Sequence, residues 1–238
     1  MTLDVLAVGA HPDDVELGIG GLVHKLARRG FRVGILDLTR GEMGTRGTVE
    51  ERTEESRRAA EILGVVQREN VGLPDGAVAN TTDQQRRVIP FLRDFRPKVV
   101  LAPMDGDRHP DHSAAHALVR DANYFAGLER IETDREPYRA PNVYYYHPYF
   151  DDAAVPQFVV DITDDFDAKI AALKAHASQF FSPDYQDKPT FISSETFWES
   201  IRTRAAYWGN RIQATYGEPL YADHPVGIGL PPGLENAT

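Results

Sequence analysis

The stretch LDVLAVGAHPDDVELGIGGL, residues 3–22, decides the fold. Leu3 to Ala10 is apolar except for Asp4, as expected of a strand buried on both faces. The run stops at His11-Pro12-Asp13-Asp14, and a helical pattern follows. That helix is predicted from about Asp14 to Arg29, with Leu17, Leu22, Val23 and Leu26 on its inner face and Gly30 just past its end. A buried strand that breaks into a polar turn and feeds a helix is the first unit of a parallel α/β sheet.

The same alternation continues outward. Phe31 to Thr39 reads as a second strand. Thr48 and Glu51 have capping-box spacing for a helix that ends at Gly64. A strand around Asn70 to Leu73 stops at Pro74-Asp75-Gly76. A helix opens at Thr81 or Thr82 and ends near Phe95, before Arg96-Pro97, and Lys98 to Ala102 is the fourth strand. This βαβαβαβ order predicts a doubly wound parallel sheet with right-handed crossovers and strand order 3-2-1-4. In that order the carboxyl ends of the first and fourth strands are neighbours. The turn at His11 would then meet DGDRHPDHSAAH, residues 105–116, at the place where such sheets bind ligands. A further helix is expected from Ser113. Beyond it, residues 143–150 and 158–162 read as strands and residues 164–176 and 197–216 as helices. The terminal PVGIGLPPGLENAT is expected to be an extended tail packing on this subunit or a neighbour.

Composition narrows the function. A formal net charge of −10 argues against a nucleic-acid or anionic-membrane footprint. Cysteine is absent, so imidazole and carboxylate must hold any transition metal. No apolar run approaches the roughly 18 residues of a membrane span, and no leader pattern opens the chain. The expectation is a cytoplasmic enzyme.

His11 and Asp14 are three residues apart, and His112 comes from the facing loop. Two neutral imidazoles and one carboxylate are the ligand set of a catalytic Zn2+ site with positions left for water and substrate. Asp13, displaced around the backbone from Asp14, is the candidate general base. His109, oriented and kept protonated by Asp111, is the candidate donor to an oxyanion or to a leaving amine. Arg52 is a candidate clamp for a substrate carboxylate or else a partner of Glu51 or Glu55. Asp75 is a candidate acceptor from sugar hydroxyls or an ordinary turn residue. Arg46 and Arg108 are weaker candidates for substrate contact. His24 reads as structural and His116 as a solvated helix residue, while His147 lines the cleft or merely packs. A nucleotide-binding module is the rival reading, but a G-x-G-x-x-G turn is missing and two carboxylates would repel a pyrophosphate.

With AHPDDVELGIGG and HPDHSAAH in order at two strand ends, the chain resembles the zinc-dependent deacetylases of the LmbE, or PIG-L, family. The likeness runs on through residues 34–65 and through VGLPDG, residues 71–76. FDAKIAALKAHASQFFS, residues 166–182, is similar to the bacillithiol-pathway branch, which deacetylates N-acetylglucosaminyl malate. The resemblance implies a Rossmann-like three-layer α/β fold with a mostly parallel sheet, a core at 1–126 and a smaller C-terminal α/β portion at 127–238 of one domain. It further implies zinc, or another divalent ion such as Fe2+, on His11, Asp14 and His112, with Asp13 as base and His109 supported by Asp111. Arg52 matches the position expected to hold the malate carboxylate. The implied substrate is a small amino-sugar glycoside, with chitobiose-like compounds and thiol conjugates as alternatives, and the implied assembly is a homo-oligomer, often a hexamer. Relatives place a tyrosine near Phe197, so Tyr144 or Tyr146 is expected to take over any role at the oxyanion.

Overall fold

The computed structural model describes residues 2–149, 155–185 and 187–227. Five parallel strands form the main sheet in the order β3-β2-β1-β4-β5. They are β1 (Val5–Gly9), β2 (Val33–Thr39), β3 (Gln67–Leu73), β4 (Val99–Pro103) and β5 (Asn142–Tyr146). The sequence-derived 3-2-1-4 order holds, and β5 extends it. Side chains of β1 alternate between two cores, as the pleat requires. Leu6 and Val8 pack with α3 (Thr82–Phe95) and α4 (Pro110–Ala126). Val5 and Ala7 pack with α1 (Asp14–Arg28), α2 (Val49–Leu63) and α5 (Phe166–Ala175). Helices on both faces of a parallel sheet make the three layers. Among the described residues no helix is long and apolar enough to cross a membrane.

Helix α1 is broken at Ile19 (φ −138°), and the glycines around the break have steric reasons. A Cβ on Gly18 would lie 2.2 Å from the Tyr146 ring, and one on Gly21 would lie 2.6 Å from Ile162. The backbone N–H groups released near the break, those of Gly21 and Leu22, donate to the Glu218 carboxylate at 3.1 and 2.7 Å.

Strand β3 begins three residues earlier than its sequence suggested. Gln67, Arg68 and Glu69 carry no apolar signal because β3 is an edge strand whose side chains make polar contacts. Arg68 grips Asp37 of β2 through two bonds, 2.8 and 3.1 Å, and reaches Glu16 of α1 at 2.5 Å. Glu16 is fully buried, and His176, also fully buried, faces it at 3.3 Å. Arg68→Met leaves two buried carboxylates uncompensated, so a loss of about 3–5 kcal/mol is expected, read from the midpoint of urea unfolding.

Helix α4 starts at Pro110 rather than Ser113. Proline is pre-organised for a first helical position, and the Nδ1 of His109 accepts from the Asp111 N–H at 3.2 Å as the cap. In the later half, the expected helix 197–216 is α6 (Glu195–Asn210), and the chain then forms β7 (Gly217–Leu220), antiparallel to β6 (Phe158–Asp161). Gly-Glu-Pro-Leu has no strand signal; pairing with β6 makes it one. Most of the expected C-terminal tail, residues 228–238, lies outside the described residues.

Candidate metal centre and active site

The two polar clusters meet at the carboxyl ends of β1 and β4. The His11 and His112 rings are 5.4 Å apart, centroid to centroid, and His109 lies 4.5 and 5.1 Å from them. Nitrogens of all three lie within 4.8 Å of one another. Asp14 stands between the two expected ligands, with Oδ2 3.5 Å from His11 Nδ1 and Oδ1 3.1 Å from His112 Nε2. The two contacts use different oxygens of Asp14, so the carboxylate bridges the two imidazoles.

Each imidazole also turns its other nitrogen to a carboxylate, the arrangement that orients metal-binding histidines. His11 Nε2 is 3.0 Å from Asp75 and 3.4 Å from Asp111, and His112 Nδ1 is 3.0 Å from Asp107. Burial alone would pull both imidazoles down, yet the surrounding carboxylates win. Asp111, Asp14 and Asp75 hold His11 well above its ordinary pKa, and Asp14 with Asp107 raises His112 to about 9. A place that draws protons onto two buried histidines attracts positive charge, and a divalent cation suits it.

Asp107 was not singled out from the sequence. Its Oδ1 also accepts from the His109 N–H at 3.1 Å, so one carboxylate aligns two histidine segments. The available signal was its place five residues before His112 in the same loop.

Asp13 sits in a sparsely populated backbone region (φ 125°, ψ −22°) as the N-cap of α1. Burial raises its carboxyl to about 6, against the lowering effect of Arg52. Arg52 is 4% exposed; both of its terminal nitrogens are bonded within the protein, while its buried Nε has no acceptor among the described residues. Nη1 donates to the Gly41 carbonyl at 2.8 Å, and Nη2 donates to the Pro12 carbonyl at 2.9 Å and to Asp13 at 3.2 Å. Neither reading of Arg52 from the sequence named this partner; Glu51 and Glu55 bond elsewhere.

Other expected contacts also differ. The Asp111 carboxylate does not reach His109; it accepts from the Gly76 and Val78 N–H groups and approaches His11. Only the Asp111 backbone N–H meets His109, and burial beside His11 and His112 lowers the His109 pKa. An Nδ1 that accepts leaves the proton of the neutral ring on Nε2. Asp75 faces His11 and accepts from Met43 N–H at 2.8 Å. Arg46 is buried on the Ser178, Tyr185 and Lys188 carbonyls. His116 is buried rather than solvated, its ring tilted against that of Tyr145 on β5 with centroids 4.2 Å apart and facing Asp223. His147 packs on Tyr221, and His24 bonds Asp165 at 2.8 Å.

Tyr146, expected at the cleft, is fully buried beneath Gly18, and its hydroxyl donates to the Val8 carbonyl at 2.8 Å. Side chains alternate along β5, and Tyr146 falls on the α1 side of the sheet. Tyr149, on the loop after β5, lines the cleft instead and stacks on Phe197 at 4.7 Å. Tyr146→Phe is therefore expected to cost about 1–3 kcal/mol of stability by stranding a buried carbonyl and to leave turnover within about twofold; thermal unfolding and kcat check the two halves.

The cleft around these groups holds about 350 Å³. Its outer wall comes from the later part of the chain, through Tyr149, Gln179, Phe180 and Phe191. Arg108 stands on this lip over the rings of Tyr149 and Phe191, 5.4 and 5.0 Å from their centroids, and its guanidinium has no carboxylate or carbonyl acceptor among the described residues.

Comparison with known proteins agrees with this architecture. The chain is 32% identical to a diacetylchitobiose deacetylase of Thermococcus kodakarensis over 97% of its own length and 84% of that protein. The conserved protein TT1542 of Thermus thermophilus superposes with a TM-score of 0.87 at 39% identity, covering 97% of this chain and 98% of that one. A 4-carboxy-2-hydroxymuconate hydratase of Pseudomonas putida superposes at 0.80 with 25% identity, covering 97% and 100%. Residues 6–123, which carry both histidine motifs, match the family model PIG-L, GlcNAc-PI de-N-acetylase, and the chain belongs to that family.

Proposed function

We propose that the protein is a divalent-metal-dependent N-deacetylase of an N-acetylglucosaminyl compound, with zinc held by His11, Asp14 and His112. The observation that carries this reading is Asp14 set between two imidazoles, each backed by a carboxylate, with Asp13 beside it. A bound divalent ion supplies Lewis acidity, lowering the pKa of water and polarising the amide carbonyl. Asp13, held by Arg52, takes the proton of the attacking water. His109 donates from Nε2 to the oxygen that becomes negative, and does so as a neutral ring. Asp13 then returns its proton to the departing amine, and acetate and a glucosamine derivative leave. Asp75 and Asp111 position His11, and Asp107 positions His112.

The bonds of the Arg52 terminal nitrogens to Gly41, Pro12 and Asp13 support a positioning role for Asp13 rather than a clamp on malate. That favours a neutral, chitobiose-like glycoside at least as much as N-acetylglucosaminyl malate, in line with the Thermococcus relative. Acetate release from N-acetylglucosaminyl malate, diacetylchitobiose and N-acetylglucosamine tests the reading. Turnover of at least one is expected, and no release from any of them by the metal-loaded protein would reject it. The likeness to the hydratase supports a second reading, water addition to an unsaturated acid by the same Asp13, which the same protein would then perform in place of acetate release. Arg52→Met is expected to lower kcat on every accepted glycoside by about tenfold or more, the range of a lost positioning contact. A KM increase confined to the malate glycoside would restore the clamp.

A further inference from the structure

Among the described residues, three arginines and no lysine line the cleft. Arg46 donates to the Ser178, Lys188 and Tyr185 carbonyls, and the terminal nitrogens of Arg52 donate to Gly41, Pro12 and Asp13. Arg108 is the exception. It is exposed, and neither a hydrogen bond nor an ion pair ties its guanidinium to the described residues. Its backbone is nonetheless fixed at the site. Asp107, one residue before, accepts from the His109 N–H and faces His112, and His109, one residue after, caps α4. The side chain therefore starts beside the histidines and carries its charge to the lip, over Tyr149 and Phe191.

A merely solvated arginine would need neither ring. Here two aromatic rings hold the guanidinium in place and accept no conventional hydrogen bond from it. Its N–H donors stay available as a planar fork that matches a carboxylate or a phosphate. Phe191 is 52% exposed although apolar, and it lines the cleft together with Met43, another exposed apolar side chain, so the lip offers apolar surface next to an open cation. Charge points the same way. The chain carries a formal net charge of −10, and Asp13, Asp14, Asp75 and Asp107 line the cleft, so an acidic ligand approaches against the prevailing field unless a local cation receives it. Arg108 is the one guanidinium of the lining whose terminal nitrogens are open. Arg52 leaves neutral and acidic glycosides on equal terms; Arg108 separates them.

We propose that Arg108 is a specificity-determining residue that receives an oxyanion, carboxylate or phosphate, on the aglycone of the substrate. This rests on the glycoside reading of the cleft and adds the acidic class of compound it prefers. Acetate release is compared for N-acetylglucosaminyl malate, N-acetylglucosamine 1-phosphate and, as the neutral reference, the dimethyl ester of the malate compound. For at least one acid, Arg108→Gln is expected to raise KM about tenfold or more and to leave kcat within about twofold, since binding away from the reacting amide is what the fork supplies. The ester should be unaffected. Arg108→Lys keeps the charge without the fork and should fall between. In wild type, KM for that acid and not for the ester should climb with sodium chloride. Binding is read apart from turnover by calorimetry on the zinc-loaded protein, with glucosaminyl malate, its dimethyl ester and glucosamine 1-phosphate, which have no acetyl group to lose. At least one acid should bind wild type about tenfold more tightly than the ester, and Arg108→Gln should level the two; the acid that responds identifies the group. Equal effects of Arg108→Gln on acids and ester, or no preference of wild type for either acid, overturns the proposal. A calorimetric preference for an acid without acetate release from any N-acetyl sugar would remove the deacetylase reading and keep the clamp; acetate release with acids and ester treated alike would do the reverse.

Discussion

Asp13→Asn is expected to lower kcat/KM about a thousandfold, within the range for loss of a positioned acid–base group, while the protein keeps its full metal content. Asparagine matches the side chain in size and is among the residues that tolerate positive φ best, so the strained N-cap of α1 is retained. The amide cannot accept the proton of water, and that step alone fails. Metal analysis beside steady-state rates separates this outcome from collapse of the site. The wild-type pH profile follows from the same residue. Burial places the Asp13 carboxyl at about 6, and the base works when ionised. Activity should therefore fall as pH drops through that value, and a cation on neighbouring Asp14 moves the acid limb lower, never higher. An acid limb well above 6, or an Asp13→Asn variant with wild-type turnover, would remove Asp13 from the role of base.

His112→Ala is expected to abolish both metal binding and turnover, since it removes a proposed ligand whose second nitrogen faces Asp107. Asp107→Ala should act one step further out, weakening metal binding about 10–100-fold, the usual cost of losing a carboxylate behind a histidine ligand. Chelation should inactivate the wild-type protein, and zinc should restore it. Removing the ion should also lower the unfolding temperature, because an ion present at 100 times its dissociation constant stabilises the native state by about 2.7 kcal/mol. Metal content of one per chain in wild type and near zero in His112→Ala is the decisive measurement. Stoichiometric metal and normal activity in that variant would reject the ligand set.

The parts of this protein legible in its sequence are those governed by local pattern. The apolar run of β1, the capping box of α2 and the alternation of strands and helices specified the sheet order, because parallel strands need crossovers and crossovers have one hand. That order brings His11 and His112 together, although a hundred residues separate them. The polar edge of β3 and the Gly-Glu-Pro-Leu of β7 were not legible, since their strand character comes from Asp37, Glu16 and β6 rather than from their own side chains.

The site divides in the same way. Motif spacing was enough to nominate His11, Asp13, Asp14, His109 and His112, because each lies at a junction between a strand and the following helix that the alternation foretells. Which side chain meets which was decided only by tertiary packing. Arg52 faces Asp13, the Asp111 carboxylate faces His11, Asp107 takes His112, and Tyr146 is sealed under Gly18. Those pairings depend on distances of 3 Å or so between separate segments. Burial makes each unpaired charge or polar group too costly to leave alone, and no one-dimensional pattern carries that information.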